Sequence, residues 1–163
     1  MRWIWIDRFL EFEPGHRAVA VKNVSLAEEH VHDHWEAYPT HPAALMIEGM
    51  AQTAGILVGQ ARDFQENVAL AKIAKAEFQG EVVPGDQITF VATLDTLAEA
   101  GAATSGELLR NGETFGEVNL MFSHVDHGMA SGLALPQENF VFTGQFQRLV
   151  APFLHGAAEN QGD

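Results

Sequence analysis

Apolar and polar positions along this chain change period several times, and each change marks an element. Residues Arg17 to Val24 alternate and are rich in Val, which predicts a half-buried strand, and Glu13-Pro14-Gly15-His16 supplies a turn ahead of it. From Pro42 to about Gln60 the pattern predicts a long helix, since a proline at the first turn removes only an N–H that has no intrahelical partner. After Glu48 that helix is apolar or small at nearly every position, with Gln52 the strongly polar residue before Gln60, and a helix apolar on all sides is a buried one. Four further strand-like runs follow at Ala71 to Phe78, Gln87 to Leu97, Ala102 to Arg110 and Thr114 to Ser123. Val83-Pro84-Gly85-Asp86 fits a type II turn and Asn111-Gly112 a tight hairpin. One helix that is apolar all round needs a sheet curled about it, so the expected fold class is α+β, an antiparallel sheet wrapped around one long central helix.

The composition changes near His124. Residues 1–123 read as the folded domain, and 124–163 as an extension with a linker containing Gly128, Ser131, Gly132 and Pro136. Phe142, Phe146, Leu149, Val150, Phe153 and Leu154 then recur at helical spacing, predicting an amphipathic helix from about Glu138 to Leu154. Such an apolar stripe needs a cover, and the expected place is the outer face of the sheet or a subunit boundary. Gly156 to Asp163 reads as a frayed end.

With 163 residues the chain can bury a sizeable core without staples, and the absence of cysteine excludes disulfides, thiolate nucleophiles and thiolate metal sites. A net charge of −13, from nine Lys and Arg against twenty-two Asp and Glu, argues against nucleic acid or an anionic membrane as partner. No secretory leader pattern opens the chain and no run is long enough to span a bilayer, so a cytoplasmic protein is expected.

Candidate chemistry concentrates in His34 to Gln52. Glu48, fourteen residues after His34, sits in the second turn of the apolar helix, where lost solvation of its charged form should raise its pKa and suit it to donate a proton. His34 is a candidate general base. Gln52, one turn beyond Glu48, shares its helix face and could orient the carboxyl group. Histidines 30, 32, 34 and 41 could instead gather round a metal; with no thiolate available and the acid better explained otherwise, no metal site is expected.

Lys22-Asn23-Val24, the block from His34 to Gln52, Ala74-Lys75-Ala76-Glu77-Phe78 and Val82-Val83-Pro84-Gly85-Asp86-Gln87 together resemble the hotdog-fold β-hydroxyacyl-acyl carrier protein dehydratases. Their active-site string runs GHFPxxPxxPGVLxIEAxAQ, and His34, Pro39, Pro42, Leu45, Ile47, Glu48, Ala51 and Gln52 fall on matching positions, within a likeness of order and spacing over about Ile4 to Ser123. The chain departs from the string at Glu36, Ala37 and Ala43, where the family has Pro, Gly and Gly. The resemblance implies a hotdog fold, a dimer or trimer of dimers, and a site pairing His34 of one subunit with Glu48 of another. It also implies that the backbone N–H of Ala43 binds the thioester carbonyl.

The reaction so implied, loss of water from a 3-hydroxyacyl thioester to give a trans-2-enoyl thioester, requires a base at the α-carbon, an acid at the departing hydroxyl and a donor to the carbonyl oxygen. His34, Glu48 and the helix N-terminus at Ala43 fill those roles, and no step calls for a metal or organic cofactor. The substrate would be carried on acyl carrier protein or coenzyme A. An acidic carrier needs cations, for which Arg62, Lys72, Lys75 and Arg110 are the candidates. Two alternatives are a hotdog thioesterase or hydratase of coenzyme A esters, and a catalytically weak binding subunit.

Overall fold

The computed structural model describes residues 3–31, 38–125 and 144–154. His34, its neighbours Glu36 and Ala37, the linker, and positions 138–143 of the expected second helix lie outside the described residues. Six strands, β1 (Arg8–Glu13), β2 (Arg17–Asn23), β3 (Asn67–Phe78), β4 (Gln87–Leu97), β5 (Gly101–Arg110) and β6 (Glu113–Val125), form one sheet in the order β1-β2-β4-β5-β6-β3. All five pairings are antiparallel. Among the described residues there are also two helices, α1 (Ala43–Gln60) and α2 (Gly144–Leu154), and a turn of 3-10 helix at Glu29–Val31. The expected α+β arrangement of a sheet around a central helix is present.

Turn chemistry sets the register. Gly85 adopts φ +100° and Asp86 N–H donates to the Val83 carbonyl at 3.0 Å, as a type II turn with glycine at its third position requires. Asn111 and Gly112 both have positive φ, the signature of the tight turn that matches strand twist, and they join β5 to β6.

Strand β1 was not anticipated, and its irregularity explains why. Phe9 and Phe12 are both buried although three positions apart, because a bulge between Phe9 and Glu11 absorbs the extra residue. β3 begins at Asn67, earlier than the expected Ala71, and most of its side chains are exposed, so it carries no clean alternation. It is an edge strand, as is β1.

Helix α1 lies against β4 and is buried at Met46, Gly49, Met50, Gln52, Thr53, Ala54 and Ile56 through Gly59. Its one interior hydroxyl is satisfied locally, Thr53 Oγ1 donating to the Gly49 carbonyl at 2.8 Å. The approach to the sheet is set by Gly49: a Cβ there would stand 2.4 Å from Cζ of the fully buried Phe90. The helix closes as Phe64 N–H donates to the Gly59 carbonyl, with Asp63 and Phe64 both left-handed.

Of the two expected docking places for α2, the outer face of the sheet is not the one observed. Val150 is buried, and Phe146, Leu149, Phe153 and Leu154 pack against the same core as α1, not on the outer face of the sheet. Phe153 meets Phe9 at a ring-centroid distance of 6.4 Å and Phe12 at 6.5 Å. The i, i+3, i+4, i+7 spacing of Phe146, Leu149, Val150 and Phe153 places all four on one face.

Gly49→Ala tests the helix-sheet contact through the sign of its effect. In an exposed helix the change would stabilise by about 1 kcal/mol. Here the added methyl must displace the Phe90 ring, and overpacking of about 1–3 kcal/mol should prevail. A fall in the urea midpoint at unchanged slope is expected, and a rise would mean that the helix does not bear on Phe90.

Candidate active site

α1 begins at Ala43, with Pro42 as its N-cap in extended conformation and no side-chain cap. Leu45 and Met46 N–H both turn back to the Pro42 carbonyl, which leaves the N–H groups of the exposed Ala43 and Ala44 as the outward donors of this end. Ala43 is not among the positive-φ residues, so the replacement of glycine costs the position nothing in backbone geometry.

Glu48 stands in the second turn, half-buried, on the wall of a cavity of about 510 Å³. Around it are Ala51, Gln52, Gly55 and Ile56 of α1, Val68 to Leu70 of β3 and Phe122 of β6. Its Oε1 accepts two hydrogen bonds, from Trp3 Nε1 at 3.1 Å and from Gln52 Nε2 at 2.9 Å. Gln52 thus lies in hydrogen-bond contact with the carboxyl group. The amide does more: Gln52 Oε1 accepts from the Trp5 backbone N–H at 2.7 Å, and Nε2 also reaches the Trp3 carbonyl at 3.1 Å. One buried amide thus joins the segment before β1 to the helix and to the acid. Trp3 was missed in the sequence, although two tryptophans separated by one residue share a face of an extended segment and supply the donor a helix acid needs.

A second polar cluster holds the approach to α1. His41, 3 % exposed, donates its backbone N–H to the Val82 carbonyl at 2.8 Å, and its Nδ1 lies 3.0 Å from His30 Nε2. His30 Nε2 is in turn 3.2 Å from Glu28 Oε2, and Lys22 donates to Glu28 Oε1 at 3.0 Å. Trp5 packs edge-on to His30 with centroids 4.9 Å apart, and the Lys22 ammonium lies 5.9 Å from the Trp5 ring. Burial of Glu28 opposes its ionisation, but the hydrogen bonds from Lys22 and Ser25 N–H and the nearby positive charge outweigh it and lower the pKa. Burial first, then the charges of His30 and Lys22, push His41 down to about 4, against a small opposing pull from Glu28.

Ligand atoms of Glu28, His30 and His41 all lie within 4.8 Å of one another, the one such trio among the described residues. Of the four histidines grouped by the sequence, the structure brings His30 and His41 together, adds Glu28, and places Lys22 where it already neutralises the carboxylate. Three of the four candidate cations already have partners within the chain. Arg62 bonds the Ala98 carbonyl, Lys75 sits between Glu77 and Glu117, and Arg110 bonds the Glu81 carbonyl.

The depressed His41 fixes a pH window for stability. Its folded value of about 4 lies below the ordinary 6.5, so the unfolded chain takes up the proton first as pH falls. The neutral ring's contribution is complete above about pH 6.5 and is lost between there and about pH 4, amounting to about 3 kcal/mol. Urea unfolding at a series of pH values should therefore show a steeper loss over that range in the native chain than in His41→Leu. Parallel curves would mean that His41 takes up protons as readily folded as unfolded.

Comparison with known proteins identifies the family. The family model described as the FabA-like domain matches residues 3–118. A 3-hydroxyacyl-acyl-carrier-protein dehydratase FabZ of Pelotomaculum thermopropionicum is 35 % identical over 122 residues, covering 74 % of this chain and 87 % of that protein. The enzyme of the same name from Ruminiclostridium cellulolyticum is 35 % identical over 118 residues, covering 68 % and 83 %. Among solved structures, the dehydratase heterocomplex ApeI:P of Xenorhabdus doucetiae superposes with a TM-score of 0.65 at 15 % identity, over 77 % of this chain and 86 % of that one, a likeness of fold. The domain match and the identity to the two FabZ proteins place this chain in the FabA-like, hotdog-fold family of 3-hydroxyacyl-acyl-carrier-protein dehydratases.

Proposed function

We propose that this chain removes water from 3-hydroxyacyl thioesters on acyl carrier protein, giving trans-2-enoyl thioesters in fatty-acid or related acyl-chain synthesis. The observation that carries the reading is Glu48 on the wall of a mostly apolar cavity, with Oε1 held by Trp3 and Gln52. Two donors occupy Oε1, which leaves Oε2 to face the departing hydroxyl in the proposed step. In the proposed step His34 takes the proton from C2 of the acyl chain, and the charge that develops on the thioester oxygen is met by the Ala43 N–H and the positive end of α1. The C3–O bond breaks as Glu48 gives its proton to the departing hydroxyl, the C2=C3 bond forms, and water leaves. The two FabZ relatives support this reaction class and this carrier.

A homodimer suits the surface. The edge strand β3 exposes Leu70 and Ile73, and Met121 of the adjacent β6 is exposed as well. β3 also supplies one wall of the cavity, so a second copy paired along it could bring its His34 to Glu48. A trimer of such dimers is the larger assembly compatible with this reading. A cytoplasmic location fits, and among the described residues no helix is long and apolar enough to cross a membrane.

Absorbance at the conjugated enoyl thioester, with free thiol followed in the same cuvette, tests the reading. Hydration of a crotonyl or longer enoyl substrate without thiol release is expected, faster on acyl carrier protein than on coenzyme A. Thiol release without hydration would select a thioesterase and overturn the proposal. Glu48→Gln and His34→Ala should each lower kcat/KM by about 100-fold or more while leaving the dimer intact. Near-native turnover in either variant would remove that residue from the mechanism.

A further inference from the structure

The FabA-like match ends at residue 118, yet two of the residues that line the Glu48 cavity lie far beyond it: Gln145 and Phe146, in the first turn of α2. We infer that α2 is a wall of the acyl pocket added to the shared domain, and that the Phe146 ring limits the length of acyl tail the pocket accepts. This rests on the dehydratase reading of the same cavity.

Three observations support the assignment. First, the α1 side of the cavity is a strip. Glu48, Gln52 and Ile56 follow one another at i, i+4 and i+8, with Ala51 and Gly55 beside them, and the strip runs about 12 Å along the helix from the acid. Small residues on that strip leave room for an extended chain; even a Cβ at Gly55 would come no nearer than 3.5 Å to Phe122. Second, among the described residues nothing polar lines the space past Glu48 and Gln52 except Gln145, the remaining lining being Ile4, Val68, Ala69, Leu70, Phe122 and Phe146 beside Trp3. An apolar tail with its reacting carbons at Glu48 fits that distribution. Third, α2 is anchored at its other end. Val150 is 1 % exposed, and Phe153 is set against Phe9 and Phe12 of β1, so Phe146, two turns earlier on the same face, is held against the cavity by packing that the tail does not touch.

A wall made by one aromatic ring has an asymmetric effect on substrates. It does not alter contacts to the first carbons of a tail that fails to reach it, and it excludes longer tails by overlap. In an apolar pocket each methylene gained or lost changes discrimination by about 10-fold or more.

The test measures kcat/KM for enoyl thioesters of graded length in the native protein, Phe146→Ala and Phe146→Trp. Binding of saturated acyl-pantetheines of the same lengths is followed through tryptophan fluorescence, since Trp3 lines the cavity. The length optimum should move to longer tails in Phe146→Ala and to shorter ones in Phe146→Trp, with the long-to-short ratio changing at least 10-fold in opposite directions, in turnover and in binding alike. If Phe146→Ala does not fold, Phe146→Leu replaces it as the enlarging variant. An unchanged length profile, including one accompanied by a lower Tm, would overturn the inference and leave α2 a purely structural cover. Absence of hydration by the native protein at every length would instead defeat the dehydratase reading, and the fluorescence series would still report whether Phe146 limits tail length.

Discussion

Everything in this molecule follows from the need to bury a helix that has no polar face. α1 is apolar or small for most of its 18 residues, so water must be excluded all round it, and a sheet curled about it does so. The close approach at Gly49 and Phe90 fixes its depth, and two of the polar side chains that enter with it are answered, Thr53 by its own helix and Gln52 by the backbone of Trp3 and Trp5. Glu48 is tolerated because it stands where the wrapping is incomplete. The opening that leaves it half-buried is also the substrate-sized cavity.

The sequence exposed the parts of this design in which one period dominates. β2, β4, β5 and β6 were legible from alternation and turn residues, the start and length of α1 from Pro42 and the apolar run, and the dehydratase likeness from residues at fixed spacing around Glu48. β1 was hidden because its bulge shifts the buried face between Phe9 and Phe12, and the first part of β3 because an edge strand facing outward has no reason to alternate. At the site, Gln52 could be placed beside Glu48 because both lie on one helix, whereas Trp3 could not, since it meets Glu48 only through the tertiary fold. The packing of α2 on its own chain's core was not legible for a related reason. Helical spacing gives the face that must be covered but not which surface covers it.

Part of the chain's acidity is answered locally. Lys22 neutralises the partly buried Glu28, Lys75 spans Glu77 and Glu117, and Asn23 donates to Asp7 Oδ2 from both its backbone and side-chain N–H groups. Such pairing keeps a chain of net charge −13 compact near the site while leaving the general surface strongly negative. Any acidic carrier that docks here meets that field, and its approach should be favoured by salt, opposite to the behaviour of a complex steered by unlike charges.

The cavity is walled by residues from position 3 to position 146, almost the full span of the chain. Its completion therefore cannot be a local event during synthesis. β1, β2 and α1 emerge first with the Glu48 face uncovered, β3 and β6 close one flank later, and the α2 wall arrives only when the C-terminal segment has left the ribosome. A nascent chain of this design spends most of its synthesis with an apolar groove open to water, the interval in which a chaperone would hold it and in which premature pairing with another chain would do the most harm.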